Sequence, residues 1–260
     1  MLLLISPAKK LNFEDSYPSI GMTAPRLMES ADEIATIMRD QSAKDIKQLM
    51  RLSDNLAELN YNRYQNWSTD ISPKYAKQAI LAFRGDVYQG MGASAFEQKD
   101  FDFAQRHLRI LSGLYGILRP LDMIQAHRLE MGTKLKNPAG SNLYSFWQSR
   151  VTPVLEKDID ETGSTLINLA STEYFKAVDE QRLKTSIITP IFKDYKNGVY
   201  KIISLYAKQA RGMMCSFSIR NQLQTPEQLK DFSEAGYRFC KAESDSNHYT
   251  FLRKKDSRNP

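Results

Sequence analysis

The chain has 260 residues, 42% hydrophobic and 25% charged, with 36 basic and 30 acidic side chains and a net charge of +6 at pH 7. That composition belongs to a globular protein and excludes disordered and fibrous classes, and no apolar run approaches the roughly eighteen residues a membrane helix needs. The two cysteines, Cys215 and Cys240, form no C-x-x-C, which removes zinc ribbons and thioredoxin-type pairs.

Leu2–Ile5 reads as a short buried strand ended by Pro7. The apolar run is too short for a signal-peptide core, and Lys9 and Lys10 follow it instead of preceding it, so a cytoplasmic protein with reduced thiols is expected. Residues 24–39 read as a helix with Pro25 in its first turn and a stripe of Leu27, Met28, Ala31, Ile34, Ala35 and Met38. Two more helices follow at 43–51 and 53–66, the second capped by Ser53 or Asp54, and residues 74–83 continue the helical pattern after Pro73. Gly85–Gly92 reads as a glycine-punctuated turn, and 95–107 as a helix. His107–Leu111 alternates like a half-buried strand, with a helix end as the alternative, and Ser112–Gly116 is a tight connection. Residues 142–158 form a helix that Pro153 either kinks or divides, Thr152 then capping the second part.

Toward the end the chain alternates strand and helix. Thr165–Leu169 reads as a buried strand, and Ser171 caps a short helix through Val178. Residues 186–192 and 198–204 flank Asn197-Gly198, a hairpin signal with a loop longer than two residues. A helix at 206–223, a short one at 226–232 and strands at 237–241 and 249–253 follow, and the tail 254–260 is expected to fray. The whole, residues 1–260, is expected to be one compact mixed α/β (α+β) domain, a mixed sheet flanked by helices.

Charge is uneven. Residues 14–60 hold nine acids and five bases, whereas residues 103–136 hold six bases and two acids, and residues 193–220 six bases and one acid. Two basic stretches can converge on one cleft, or each can face solvent. Chemistry-bearing motifs are scarce. Three dispersed histidines (107, 127, 248) offer no local ligand pair, so neither metal nor cofactor is expected. Gly85-x-x-x-x-Gly90 is followed by Met91 instead of the lysine of a P-loop. Gly113 and Gly116, between Arg109 and Arg119, have the character of a helix–hairpin–helix turn, whose backbone approaches a DNA phosphate, but two residues separate the glycines where that module has one; a plain tight turn is the alternative. Lys208 and Arg211 are i,i+3 neighbours on a helix, a costly pair unless an anion is near, and Gly212 behind them suits close approach of a backbone or a ligand. Asn168 and Ser171-Thr172-Glu173-Tyr174-Phe175-Lys176 crowd polar groups at a strand's carboxyl end, where α/β proteins bind ligands.

Several segments together resemble the YaaA family of bacterial peroxide-stress resistance proteins: Ile5-Ser6-Pro7-Ala8-Lys9, Leu49-Met50-Arg51, Ala79–Tyr88, Leu108–Asp122 running on to Arg128–Gly132, Ile167–Ser171 with Glu173-Tyr174-Phe175-Lys176, and Tyr206-Ala207-Lys208 with Ala210-Arg211-Gly212. The resemblance implies protection against hydrogen peroxide by limiting free iron and the damage it drives. It also implies a single unusual α/β domain with a basic cleft, a helix–hairpin–helix-like element at Leu111–Pro120, and binding of double-stranded DNA. Carried over onto the matched motifs, the phosphate-binding set is Lys9, Arg84, Arg109, Gly113, Gly116, Arg119, Arg128, Lys176, Lys208 and Arg211. Ser6, Asp86, Tyr88, Glu130, Asn168, Ser171 and Tyr206 are further cleft candidates.

The leading expectation is a monomeric, non-enzymatic binder of DNA or other structured polyanion, without sequence preference because nothing resembles a base-reading helix. An enzyme acting on a nucleotide or another phosphorylated small molecule in the same cleft is the alternative, since the matched motifs hold more polar groups than a DNA binder needs. Direct iron sequestration is the poorest of the three.

Overall fold

The computed structural model describes residues 1–14, 20–163 and 165–254. At its centre lies β1 (Leu2–Ile5), whose four apolar side chains are all buried. Then come β2 (Lys10–Leu11), helices α1 (Met28–Arg39), α2 (Ala43–Met50) and α3 (Asp54–Asn66), β3 (Ala76–Gln78), α4 (Ala79–Ala82), β4 (Phe83–Arg84), α5 (Asp86–Met91) and α6 (Gln98–His107). Strands β5 (Leu108–Ser112), β6 (Gly116–Leu118) and β7 (Met123–Gln125) precede the long α7 (Leu143–Thr162). The last third runs β8 (Thr165–Asn168), α8 (Thr172–Phe175), β9 (Ser186–Lys196), β10 (Val199–Lys201), α9 (Ser204–Arg220), β11 (Arg238–Phe239) and β12 (His248–Arg253).

Eight strands form one sheet in the order β11-β12-β9-β8-β1-β5-β6, with β10 added on β9. The inner strands β12, β9, β8, β1 and β5 are parallel, and β11, β10 and β6 pair antiparallel. An all-apolar β1 suits this position, because strands inside a parallel sheet are covered on both faces. The expected class, a mixed sheet flanked by helices around one core, is what the chain adopts. From β1 the chain proceeds to β5 on one side, whereas from β8 it proceeds to β9 and β12 on the other. The order reverses between β1 and β8, and ligands of open α/β sheets bind outside the carboxyl ends of such strands.

Local signals set many boundaries. Ser42 and Asp45 form a reciprocal capping box at the start of α2, and Asn142 accepts a hydrogen bond from Ser145 N at the start of α7. Helix α7 is continuous through Pro153 and ends at Gly163 (φ 95°), and Thr152 accepts from Asp179 N instead of capping a second helix. Strand β9 extends to Lys196, so the hairpin loop is just Asn197-Gly198, with both φ values positive as a type I′ turn requires. Pro25 precedes α1, which begins only at Met28. The expected helix at 74–83 is instead β3, one turn of α4 and β4, because Ala76–Gln78 pairs with Met123–Gln125 and Phe83–Arg84 with Lys10–Leu11. Residues 255–260 of the tail lie outside the described residues.

The largest departure is at Gly85–Gly92. Residues 86–91 form a helix, and its glycine serves packing: a β-carbon on Gly90 would lie 2.1 Å from Gln209 O. Reciprocally, one on Gly212 would lie 1.8 Å from Val87 O. Helices α5 and α9 thus cross backbone to backbone, which explains the glycine inside α9.

Candidate functional site

Outside the carboxyl ends of β1 and β8 lies a crevice of about 540 Å³. Ser6 enters it as the first residue after β1, and Ser171 from the turn after β8. Parallel pairing of the two strands joins these serines across 165 positions: Ser6 Oγ accepts from Ser171 N at 2.9 Å and donates to Ser171 Oγ at 3.3 Å. Below them Tyr88 OH donates to Ser6 O at 3.2 Å, and burial pushes this phenol well above its ordinary range.

Cations outnumber carboxylates along the crevice walls. Lys9 and Lys10 come from the segment after β1, Arg84 from β4, and Lys208 and Arg211 from α9, against the carboxylates Asp86 and Glu173. Lys10 and Arg84 are direct cross-strand partners in the β2–β4 pair. Lys208 and Arg211 are the i,i+3 pair expected from sequence, and among the described residues no carboxylate lies within 4.0 Å of either. Burial lowers the Arg211 guanidinium from its ordinary value, the mark of a charge drawn away from water with no counter-charge. Glu173 Oε1 accepts from Gly132 N at 3.1 Å, which fixes that wall.

At one margin Glu130 binds Lys9 (2.7 Å) and Arg128 (2.9 Å). Burial alone would raise its carboxyl, but these two cations outweigh that and hold it below its usual value. His127 lies beside them, its imidazole driven down to about 4 by burial and therefore neutral at pH 7. Beyond Arg211 a second groove opens, and Asn168 lines it from the end of β8. No group of three or more His, Cys, Asp or Glu is placed to hold a metal ion among the described residues, where no helix is long and apolar enough to cross a membrane either.

Comparison with known proteins adds a family. The sequence model of a family described as peroxide stress protein YaaA matches residues 1–243. The chain belongs to this family. A UPF0246 protein of Teredinibacter turnerae is 50% identical over 255 residues, and one of Saccharophagus degradans 49% over 255, each match covering 98% of this chain and all of the relative. The segments quoted from the sequence all lie within the matched residues, and they have two different fates in the fold.

The structure gathers Ser6, Lys9, Arg84, Asp86, Ser171, Lys208 and Arg211 around the crevice, with Tyr88 beneath it and Arg128 and Glu130 at its margin. It does not gather the rest. Arg109 is 4% exposed and donates to Asp158 at 2.7 Å, and Arg26 grips the same carboxylate with both terminal nitrogens. Burial opposes ionisation of Asp158, yet the two guanidinium groups outweigh it and keep the carboxyl below its usual range. Arg119 is held by Asp122 (2.9 Å) and by Ala24 O. The expected helix–hairpin–helix element is a β-hairpin of β5 and β6. Its glycines face inward: a β-carbon would meet Leu129 O at 2.3 Å on Gly113 and the Trp147 ring at 2.5 Å on Gly116. Trp147 Nε1 donates to Gly113 O, so the turn is core and shows no backbone to a phosphate. Lys176 is exposed at the end of α8, away from the crevice lining, and Tyr206 faces the Arg253 guanidinium 4.8 Å from its ring.

Sequence reasoning did not name Lys10, Glu173 and Tyr174 as cleft candidates, although the last two belong to the polar run seen at the end of β8. The last two stood inside a quoted motif, and Lys10 directly follows another, so motif membership was the available signal.

Proposed function

We propose that this member of the peroxide stress family acts in the cytoplasm by holding a phosphate-bearing ligand in the β1/β8 crevice. The observation that carries this reading is the Lys208–Arg211 pair, two adjacent cations with no carboxylate within 4.0 Å among the described residues, lining the same crevice as Ser6 and Ser171. Holding like charges side by side costs stability, and an anion between them reverses that cost. A crevice of about 540 Å³ has the size of a small-ligand pocket. Titration calorimetry with inorganic pyrophosphate tests the reading. Arg211→Gln should weaken binding by about 1.5–3 kcal/mol, roughly 10- to 150-fold, the worth of a charged hydrogen bond. Equal affinity of wild type and variant would refute it.

A second reading is that the occupant is the phosphate backbone of DNA, bound without sequence preference. It is favoured by the exposure of Lys9, Lys10 and Lys208 at the mouth. It has to do without Arg109, Arg119 and the hairpin glycines. With about four phosphates neutralised, log K against log salt should slope at roughly −3.6. An affinity indifferent to salt removes this reading. Limitation of iron-driven damage, which the family resemblance implies, would in either case follow from ligand binding.

A further inference from the structure

The segment after β8 is a partition. Leu169, Ser171 and Glu173 line the basic crevice, while Asn168, Ala170 and Thr172 line the second groove. The run leaves β8 at Asn168 and enters α8 at Thr172, and its successive residues line the two cavities by turns, so one short run of backbone divides them. Arg211 lines both.

The two sides differ in chemistry. The crevice has five cations. The groove, about 680 Å³, carries no lysine among its lining residues and is dominated by neutral hydrogen-bonding groups, Asn168, Asn247, Thr172 and Thr189 among them, with one carboxylate, Glu180, and one imidazole, His248, besides the shared Arg211. It is too large for a lone phosphate. Asparagine amides offer a donor and an acceptor side by side, which suits a base edge, and a carboxylate accepts from sugar hydroxyls. Aliphatic and aromatic surface from Ile187 and Phe175 adds an apolar wall.

We infer that the ligand is a nucleoside phosphate that passes between the Ser171–Thr172 partition and Arg211, its phosphates in the basic crevice and its nucleoside in the neutral groove. This rests on the crevice reading above and goes further by assigning the second cavity to the same ligand. Arg211 sits where the charge of the ligand ends and its neutral part begins.

The test compares inorganic pyrophosphate with ADP, GDP, CDP and UDP by calorimetry, on wild type and on Thr172→Trp. Thr172 is exposed on the groove side, so the indole obstructs the groove without entering the core; unchanged thermal melting checks this. At least one nucleotide should bind about tenfold more tightly than pyrophosphate, and Thr172→Trp should abolish that preference while changing pyrophosphate affinity less than about twofold. If pyrophosphate binds and no nucleotide exceeds it, or if the preference survives Thr172→Trp, the bipartite site is wrong and the crevice reading stands. If neither pyrophosphate nor any nucleotide binds, the crevice reading fails and this inference with it.

Discussion

The arginines of the hairpin region and the two α9 cations of the crevice come from similarly basic stretches of sequence, yet they are held in place by different physics. Arg109 and Arg119 each have a carboxylate, Asp158 and Asp122; Arg109 lies in the interior and Arg119 is half-buried over a fully buried partner. Lys208 and Arg211 have no such partner among the described residues and are positioned by the backbone contact of α5 with α9 at Gly90 and Gly212. A cation satisfied from within serves folding; one left unsatisfied beside a crevice is available to a ligand. The lesson is that local net charge does not identify a binding surface until its internal counter-charges are known.

The largest effect expected from this contrast is at Asp158. Replacing it by alanine leaves Arg109 buried and unpaired and Arg26 without its bidentate partner. Breaking a buried pair from one side costs about 3–5 kcal/mol, read from the shift of the denaturant midpoint. Pyrophosphate affinity of the folded fraction should not change, because none of these groups lines the crevice. A stable Asp158→Ala protein with weakened anion binding would erase the distinction between the two regions.

Next in size is Gly212→Ala. Its β-carbon would sit 1.8 Å from Val87 O, so α5 and α9 must move apart. Overpacking of this kind costs about 1–3 kcal/mol. Unlike Asp158→Ala, it should also weaken pyrophosphate binding, since α5 carries Asp86 and α9 carries Lys208 and Arg211. Loss of stability with full affinity would mean that the crevice does not depend on this crossing.

Sequence made some of this visible and hid the rest for definable reasons. Strand β1, helices α2, α3 and α9 and the β8–α8 turn were legible because periodicity and caps are local properties. The helix at 86–91 was not, because Gly90 answers to the Gln209 carbonyl, more than a hundred residues away. Residues 111–120 carry glycines flanked by arginines, and only the Trp147 ring and the Leu129 carbonyl show that those glycines are there for packing. Likewise Arg109 looks available until Asp158, 49 positions on, is folded against it. Ser171 could be proposed because it follows the strand β8, and strand ends are recognisable, whereas Ser6 came only from the family resemblance; their contact needed the parallel pairing.

The smallest and most discriminating effect is at Glu130, which belongs partly to each region. It pairs with Lys9 at the crevice mouth and with Arg128 at the margin, and these cations hold its carboxyl below the usual value against the opposing effect of burial. For a depressed carboxyl, the contribution to stability is complete above the unfolded value of about 4.3 and is lost as pH falls through the lower folded value. Glu130→Gln should therefore cost about 0.2–1 kcal/mol at pH 7 and make the acid limb of the stability curve shallower, while Asp158, depressed in the same direction, keeps most of that limb. The same substitution frees Lys9, whose side chain is 61% exposed, from its only ion pair among the described residues. Pyrophosphate affinity at pH 7 should then rise, roughly two- to fivefold, because Glu130 no longer competes with the ligand for the ammonium. A fall in affinity would instead make Glu130 part of what grips the ligand, and the boundary between interior and crevice cations would have to be redrawn to include Arg128.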